Sequence, residues 1–124
     1  MYQKLSKSGT DIPSLGLGTW DLKKSECSRV VSEALDLGYR HIDAAAMYEN
    51  ESEVGTGIID SRVDRADLFL ATKINTLSWT PSGGQGPQLQ NKNIIKSLEK
   101  SLEDLKTDYV DLLLIHWPKF ETNL

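Results

Sequence analysis

Four side chains with complementary acid–base chemistry recur at similar places in the apolar pattern of the chain: Asp43, Tyr48, Lys73 and His116. Asp43 falls in the compact run His41-Ile42-Asp43-Ala44, and Tyr48 lies in the segment just beyond it. Lys73 follows Leu68-Phe69-Leu70-Ala71-Thr72, and His116 follows the run Val110 to Ile115, which only Asp111 interrupts. Such a set can serve hydride delivery to a carbonyl carbon. Negative charge builds on the oxygen and must be stabilised and then protonated. A phenol, with a reference pKa of about 10, is by itself a weak acid at neutral pH. An ammonium beside a phenol favours the phenolate, and a carboxylate can hold that ammonium in place. A neutral imidazole adds a hydrogen bond that orients the substrate oxygen. The assignment is Tyr48 as acid, Lys73 as tuning charge, Asp43 as anchor and His116 as orienter. Each alone has a bland reading, because a polar residue at a strand end ordinarily marks where the chain meets water. Four of them on neighbouring strand ends favour the joint reading.

The elements that must carry these residues are legible as an alternation. Two extended runs flank Lys7-Ser8-Gly9-Thr10, a hairpin pattern, and Ser14 to Gly18 reads as a short strand. Ser25 to Leu37 shows Cys27, Val30, Val31, Ala34 and Leu35 on one helical stripe, with Gly38 as its stop signal. Glu51 to Ile59 is a weaker helix pattern, because Gly55 and Gly57 each cost roughly 1 kcal/mol against Ala in a helix interior. Asn93 to Leu105 is amphipathic through Ile94, Ile95, Leu98, Leu102 and Leu105. Residues 75–91, with Pro81, Gly83, Gly84, Gly86 and Pro87, read as a long loop, in which Trp79 is expected to be a partly exposed aromatic. Continuous apolar strands separated by amphipathic helices predict a parallel sheet with helices packed on it. In such barrels the C-terminal strand ends carry the active site.

Composition bounds the alternatives. The 124 residues suit one domain, and 39% hydrophobic with 26% charged residues is ordinary for a soluble globular protein. A net charge of −4 without a basic cluster argues against a nucleic-acid partner. No stretch reaches the ~20 apolar residues of a membrane span, and no secretory signal opens the chain. The lone Cys27 gives no disulfide and no metal spacing, so no metal site is expected and a cytoplasmic location is.

The block from Gly38 through His41-Ile42-Asp43-Ala44-Ala45-Ala46-Met47-Tyr48-Glu49-Asn50-Glu51 to Gly55 closely resembles the signature of the aldo-keto reductase family. Gly16-Leu17-Gly18-Thr19-Trp20 is similar to that family's first strand and cofactor-side turn, Ala71-Thr72-Lys73 to its third strand end, and Leu112 to Pro118 to its fourth. The resemblance implies a (β/α)8 TIM barrel, of which this chain would hold the N-terminal hairpin and about the first four β/α units as a single domain, 1–124. It implies NADPH as cofactor, with NADH the alternative, and a small carbonyl compound as substrate. Asp43, Tyr48, Lys73 and His116 would take the catalytic positions. Gly18, Thr19, Trp20 and Asp43 would contact the nicotinamide side, and Trp20, Tyr48, His116 and Trp117 the substrate. For the tryptophans the other reading is core packing.

A complete barrel of this kind takes roughly 250 residues. The expectation is therefore an aldehyde or ketone reductase of which these residues form one part, with the rest of the cofactor grip elsewhere. The competing expectation is a non-catalytic half-barrel that works by association with a second half-barrel chain or with itself.

Overall fold

A computed structural model of the chain describes residues 2–4, 11–75 and 91–118. Strand β1 (Tyr2–Lys4) pairs antiparallel with β2 (Asp11–Pro13), Gln3 opposite Ile12, as the hairpin pattern predicts. The turn expected at residues 7–10 and most of the loop with Trp79 lie outside the described residues. Then come β3 (Leu17–Gly18), α1 (Lys24–Asp36), β4 (His41–Asp43), α2 (Glu51–Ser61), β5 (Phe69–Ile74), α3 (Asn91–Leu105) and β6 (Leu112–Ile115). The order β3-β4-β5-β6 is one parallel sheet, with each strand beside its predecessor. Only Leu17 and Gly18 of the expected Ser14 to Gly18 run are ladder-paired.

The period-two alternation of the strands sorts their side chains onto two faces. Ile42 of β4 and Leu70 of β5 are fully buried against the helices, in a core with Val31, Leu35, Val54, Ile58 and Leu105. Burying one such aliphatic side chain contributes about 1.5–3 kcal/mol. The opposite face borders a cavity of about 480 Å³ lined by Pro13, His41, Asp43, Ala71, Leu112 and Leu114. Asp43 tops the inward row of β4, Lys73 that of β5 after Phe69 and Ala71, and His116 continues the row of Leu112 and Leu114. The same alternation that builds the core thus delivers three ionisable residues to one face.

The two glycines that weaken α2 as an isolated helix are what let it pack. A Cβ on Gly55 would stand 2.7 Å from the backbone of Leu105 at the end of α3, and one on Gly57 would stand 2.5 Å from the Ser28 carbonyl oxygen of α1. Tertiary contact overrides propensity here.

At the opposite end of the sheet from the site, Arg65 ties β5 to β6. Its guanidinium donates to the Leu68 and Tyr109 carbonyls at 3.0 and 2.9 Å, to Thr107 Oγ1 at 3.0 Å and to Asp111 Oδ2 at 2.8 Å. The same Asp111 oxygen accepts the Leu70 N–H at 2.8 Å. Among the described residues no helix is long and apolar enough to cross a membrane.

Candidate active site

The four residues singled out by their chemistry converge at the C-terminal ends of β4, β5 and β6. Lys73 Nζ donates to Asp43 Oδ1 at 2.7 Å, to the Ala44 carbonyl at 2.9 Å and to the Tyr48 hydroxyl at 3.4 Å. An ammonium has three N–H donors, and each has an acceptor here. The Lys73 side chain is only 14% exposed and that of Asp43 39%, so the ion pair is open chiefly on the carboxylate side. Tyr48 reaches the pair from a short 3-10 turn, Ala46–Tyr48, which Glu49 ends in the left-handed region at φ 56°. The Lys73 nitrogen also lies 5.1 Å from the centre of the Tyr48 ring.

His116 follows β6 directly, and its backbone N–H donates to the Ile74 carbonyl at 3.1 Å. Its ring meets that of Tyr48 edge to face, with centroids 5.4 Å apart. Burial, reinforced by the positive charge of Lys73 and opposed by Asp43, pushes the imidazole below its ordinary value of 6.5. His116 is therefore neutral at pH 7. Its Nδ1 is buried without a hydrogen-bond partner among the described residues.

Both tryptophans expected near the site border it. Trp20 stands edge-on to Tyr48 at 5.0 Å and is 58% exposed, while Trp117 stacks parallel to His116 at 5.8 Å and is 55% exposed. Gly18 is open: a Cβ added there would meet nothing within 4 Å. Thr19, by contrast, is fully buried, its N–H and hydroxyl both directed at the Asp43 carbonyl, at 3.2 and 3.4 Å. Its side chain braces the strand end from behind, and the exposed surface at this point is that of Gly18 and Trp20.

Two neighbours of Tyr48 escaped assignment by residue type. Asn50 is buried, and its amide donates to the Thr19 and Leu22 carbonyls, both at 2.8 Å. Glu51 is buried between β5 and α3, accepting from Thr72 Oγ1 at 2.5 Å and from Ser101 Oγ at 2.9 Å. Burial raises its carboxyl above the usual range, partly offset by those two hydroxyls. The only signal in the sequence was an Asn-Glu pair at the start of a helix, which a cap explains equally well.

A parallel β/α sheet with a tyrosine, a lysine, an aspartate and a histidine gathered at its strand ends defines a class of barrel oxidoreductase. The chain belongs to the aldo/keto reductase family, whose model matches residues 14–124. It is 47% identical over 107 residues to methylglyoxal reductase DkgB of Escherichia coli O157:H7, covering 86% of this chain and 36% of that protein. It is 43% identical over 111 residues to glycerol 2-dehydrogenase (NADP(+)) of Saccharomyces cerevisiae, covering 90% of this chain and 32% of the other. The crystal structure of an aldo/keto reductase from Brucella melitensis superposes with a TM-score of 0.82 at 43% identity, over 95% of this chain and 41% of that one. The fold is part of a (β/α)8 barrel, and the chain spans about a third of the length of the curated relatives it matches.

Proposed function

We propose that these residues carry the proton-transfer side of an NADPH-dependent carbonyl reductase, converting aldehydes or ketones to alcohols with Tyr48 as proton donor. The observation that carries this reading is the Lys73 ammonium held at once by Asp43 and by the Tyr48 hydroxyl. A structural ion pair at a strand end has no need of a phenol on the same nitrogen.

The donor set fits an external hydride source. It holds proton donors and a charge to tune them, and none of these side chains can itself give up a hydride. Bound NADPH supplies that hydride to the carbonyl carbon. The open surface at Gly18, Trp20 and Asp43 would receive its nicotinamide end, with Thr19 bracing Asp43 beneath. Support for the phosphorylated cofactor comes from the relative whose name specifies NADP(+).

The residues of this chain then act in order. Neutral His116 donates a hydrogen bond to the carbonyl oxygen and orients it toward Tyr48. As negative charge develops on that oxygen, the Tyr48 hydroxyl gives up its proton, so that C=O becomes CH–OH. The phenolate left behind is met by a Lys73 N–H, and Asp43 keeps the ammonium from swinging away. Trp20 and Trp117 flank the substrate and displace water, which strengthens each of these interactions. General acid catalysis of this kind contributes about 10²- to 10⁴-fold. Residues 1–124 act as one domain of the cytoplasmic enzyme. Cys27, a free and buried thiol, suits a reducing compartment.

The test is turnover by the intact protein with NADPH and 4-nitrobenzaldehyde. We expect loss of NADPH matched one for one by the alcohol. Neither loss of NADPH nor alcohol would move the reading to a non-catalytic binding module.

A further inference from the structure

Asn50 occupies the position that precedes the first turn of α2, and its carbonyl accepts the Val54 N–H at 3.0 Å. An asparagine there normally turns its side-chain oxygen onto the free N–H groups of the helix. This one does not: no side-chain cap is made. The amide instead points away from the helix, and one nitrogen bridges the Thr19 and Leu22 carbonyls, both at 2.8 Å. Those two carbonyls bracket Trp20 and Asp21, in a turn with a long Leu22 N–H to Thr19 carbonyl contact of 3.3 Å and Asp21 at φ 62°. The orientation has a cost. Asn50 Oδ1 is left buried without a partner among the described residues, in a side chain only 3% exposed. Buried polar atoms are rarely left unpaired, and such an exception calls for a physical reason.

The ring geometry supplies that reason. Trp20 is mostly exposed, so core packing does not fix its indole, yet it stands 5.0 Å from Tyr48 at an interplanar angle of 64°. Tyr48 lies two residues before Asn50, across Glu49 in its left-handed conformation. The Asn50 amide therefore joins the short segment that presents Tyr48 to the turn that presents Trp20. We propose that Asn50 is a positioning residue that sets the gap between Trp20 and Tyr48, and with it the seat for bulky, aromatic carbonyl substrates. The role of Trp20 and Tyr48 in that seat rests on the reductase reading above.

Asn50→Asp in the intact protein separates the clamp from the helix. Aspartate caps a helix start as well as asparagine does, but it has no N–H to give and sets a carboxylate against two carbonyl oxygens. With the Trp20–Tyr48 contact loosened, KM for 4-nitrobenzaldehyde should rise about tenfold, the scale of one aromatic pair, while KM for propanal stays within about twofold. In a background where Trp79, Trp117 and any other tryptophan of the intact protein are replaced by phenylalanine, acrylamide quenching of Trp20 should increase. This second readout needs no turnover. Asn50→Ser, which keeps one donor and a cap, should fall between wild type and Asn50→Asp, and it serves as the variant should Asn50→Asp not fold. Unchanged Trp20 quenching together with equal KM changes for both aldehydes would overturn the clamp. Tyr48→Phe run alongside tells the two readings apart. If it abolishes turnover while Asn50→Asp alters neither readout, the clamp fails and the reductase reading stands. If it leaves turnover intact, the proton-donor assignment fails, and Trp20 quenching alone decides the clamp.

Discussion

Lys73 Nζ lies 2.7 Å from Asp43 Oδ1, although the residue opposite Asp43 in the β4–β5 ladder is Ala71. Lys73 therefore reaches back one inward step along the sheet to make the pair. Because the carboxylate is level with Ala71, one inward step below Lys73, the ammonium is drawn over the site rather than out into solvent. The Tyr48 hydroxyl then becomes its outermost partner.

Lys73→Met should lower kcat by about 10²-fold or more, since the charge that meets the phenolate is gone. It should also cost about 1–2 kcal/mol of stability, because Asp43 and the Ala44 carbonyl lose their donor while Asp43 keeps some access to water. Steady-state kinetics and urea unfolding check the two halves separately. Unaltered kcat would reduce Lys73 to a structural ion-pair member.

Glu51 gives a pH-dependent prediction. Its carboxyl is raised above its ordinary value of 4.5, chiefly by burial, so the fold favours the protonated form. The stability this contributes is fully present below that ordinary value and is lost as pH rises through the raised one. Glu51→Gln keeps partners for Thr72 and Ser101 without a charge. It should raise the urea midpoint at pH 7, and the advantage should shrink as the pH is lowered toward 4.5. A midpoint lower than wild type at pH 7 would show that the ionised carboxylate is worth more than its burial costs.

Asp111→Ala removes one acceptor from Arg65 and the carboxylate that accepts the Leu70 N–H at the foot of β5. Losing hydrogen bonds to a mostly buried charge should cost about 2–3 kcal/mol. The site lies at the other end of the strands, so kcat should hold. A normal midpoint with impaired kcat would reverse this division of roles.

The parallel β/α architecture was legible because each strand and helix announces itself within a few residues, through apolar runs and a helical stripe. The four site residues were legible because their chemistry is distinctive and their strand-end positions are local. What could not be read depends on contacts distant in the chain. Gly55 and Gly57 look like flaws until Leu105 and Ser28 are seen against them. Asp111 looks like an interruption of a strand until Arg65, 46 residues away, is placed beside it. Asn50 is 31 residues from Thr19, and only the fold shows that its amide faces a turn rather than its own helix. Thr19 was expected at a cofactor surface, and its full burial follows from the Asp43 carbonyl above it.

The central claim is that Tyr48 delivers the proton, and Tyr48→Phe tests it most directly. The substitution removes one oxygen while leaving the ring against Trp20 and His116. In the intact protein, kcat for 4-nitrobenzaldehyde should fall by about 10²- to 10⁴-fold, with the dissociation constant of NADPH unchanged. Turnover at the wild-type rate would contradict the account.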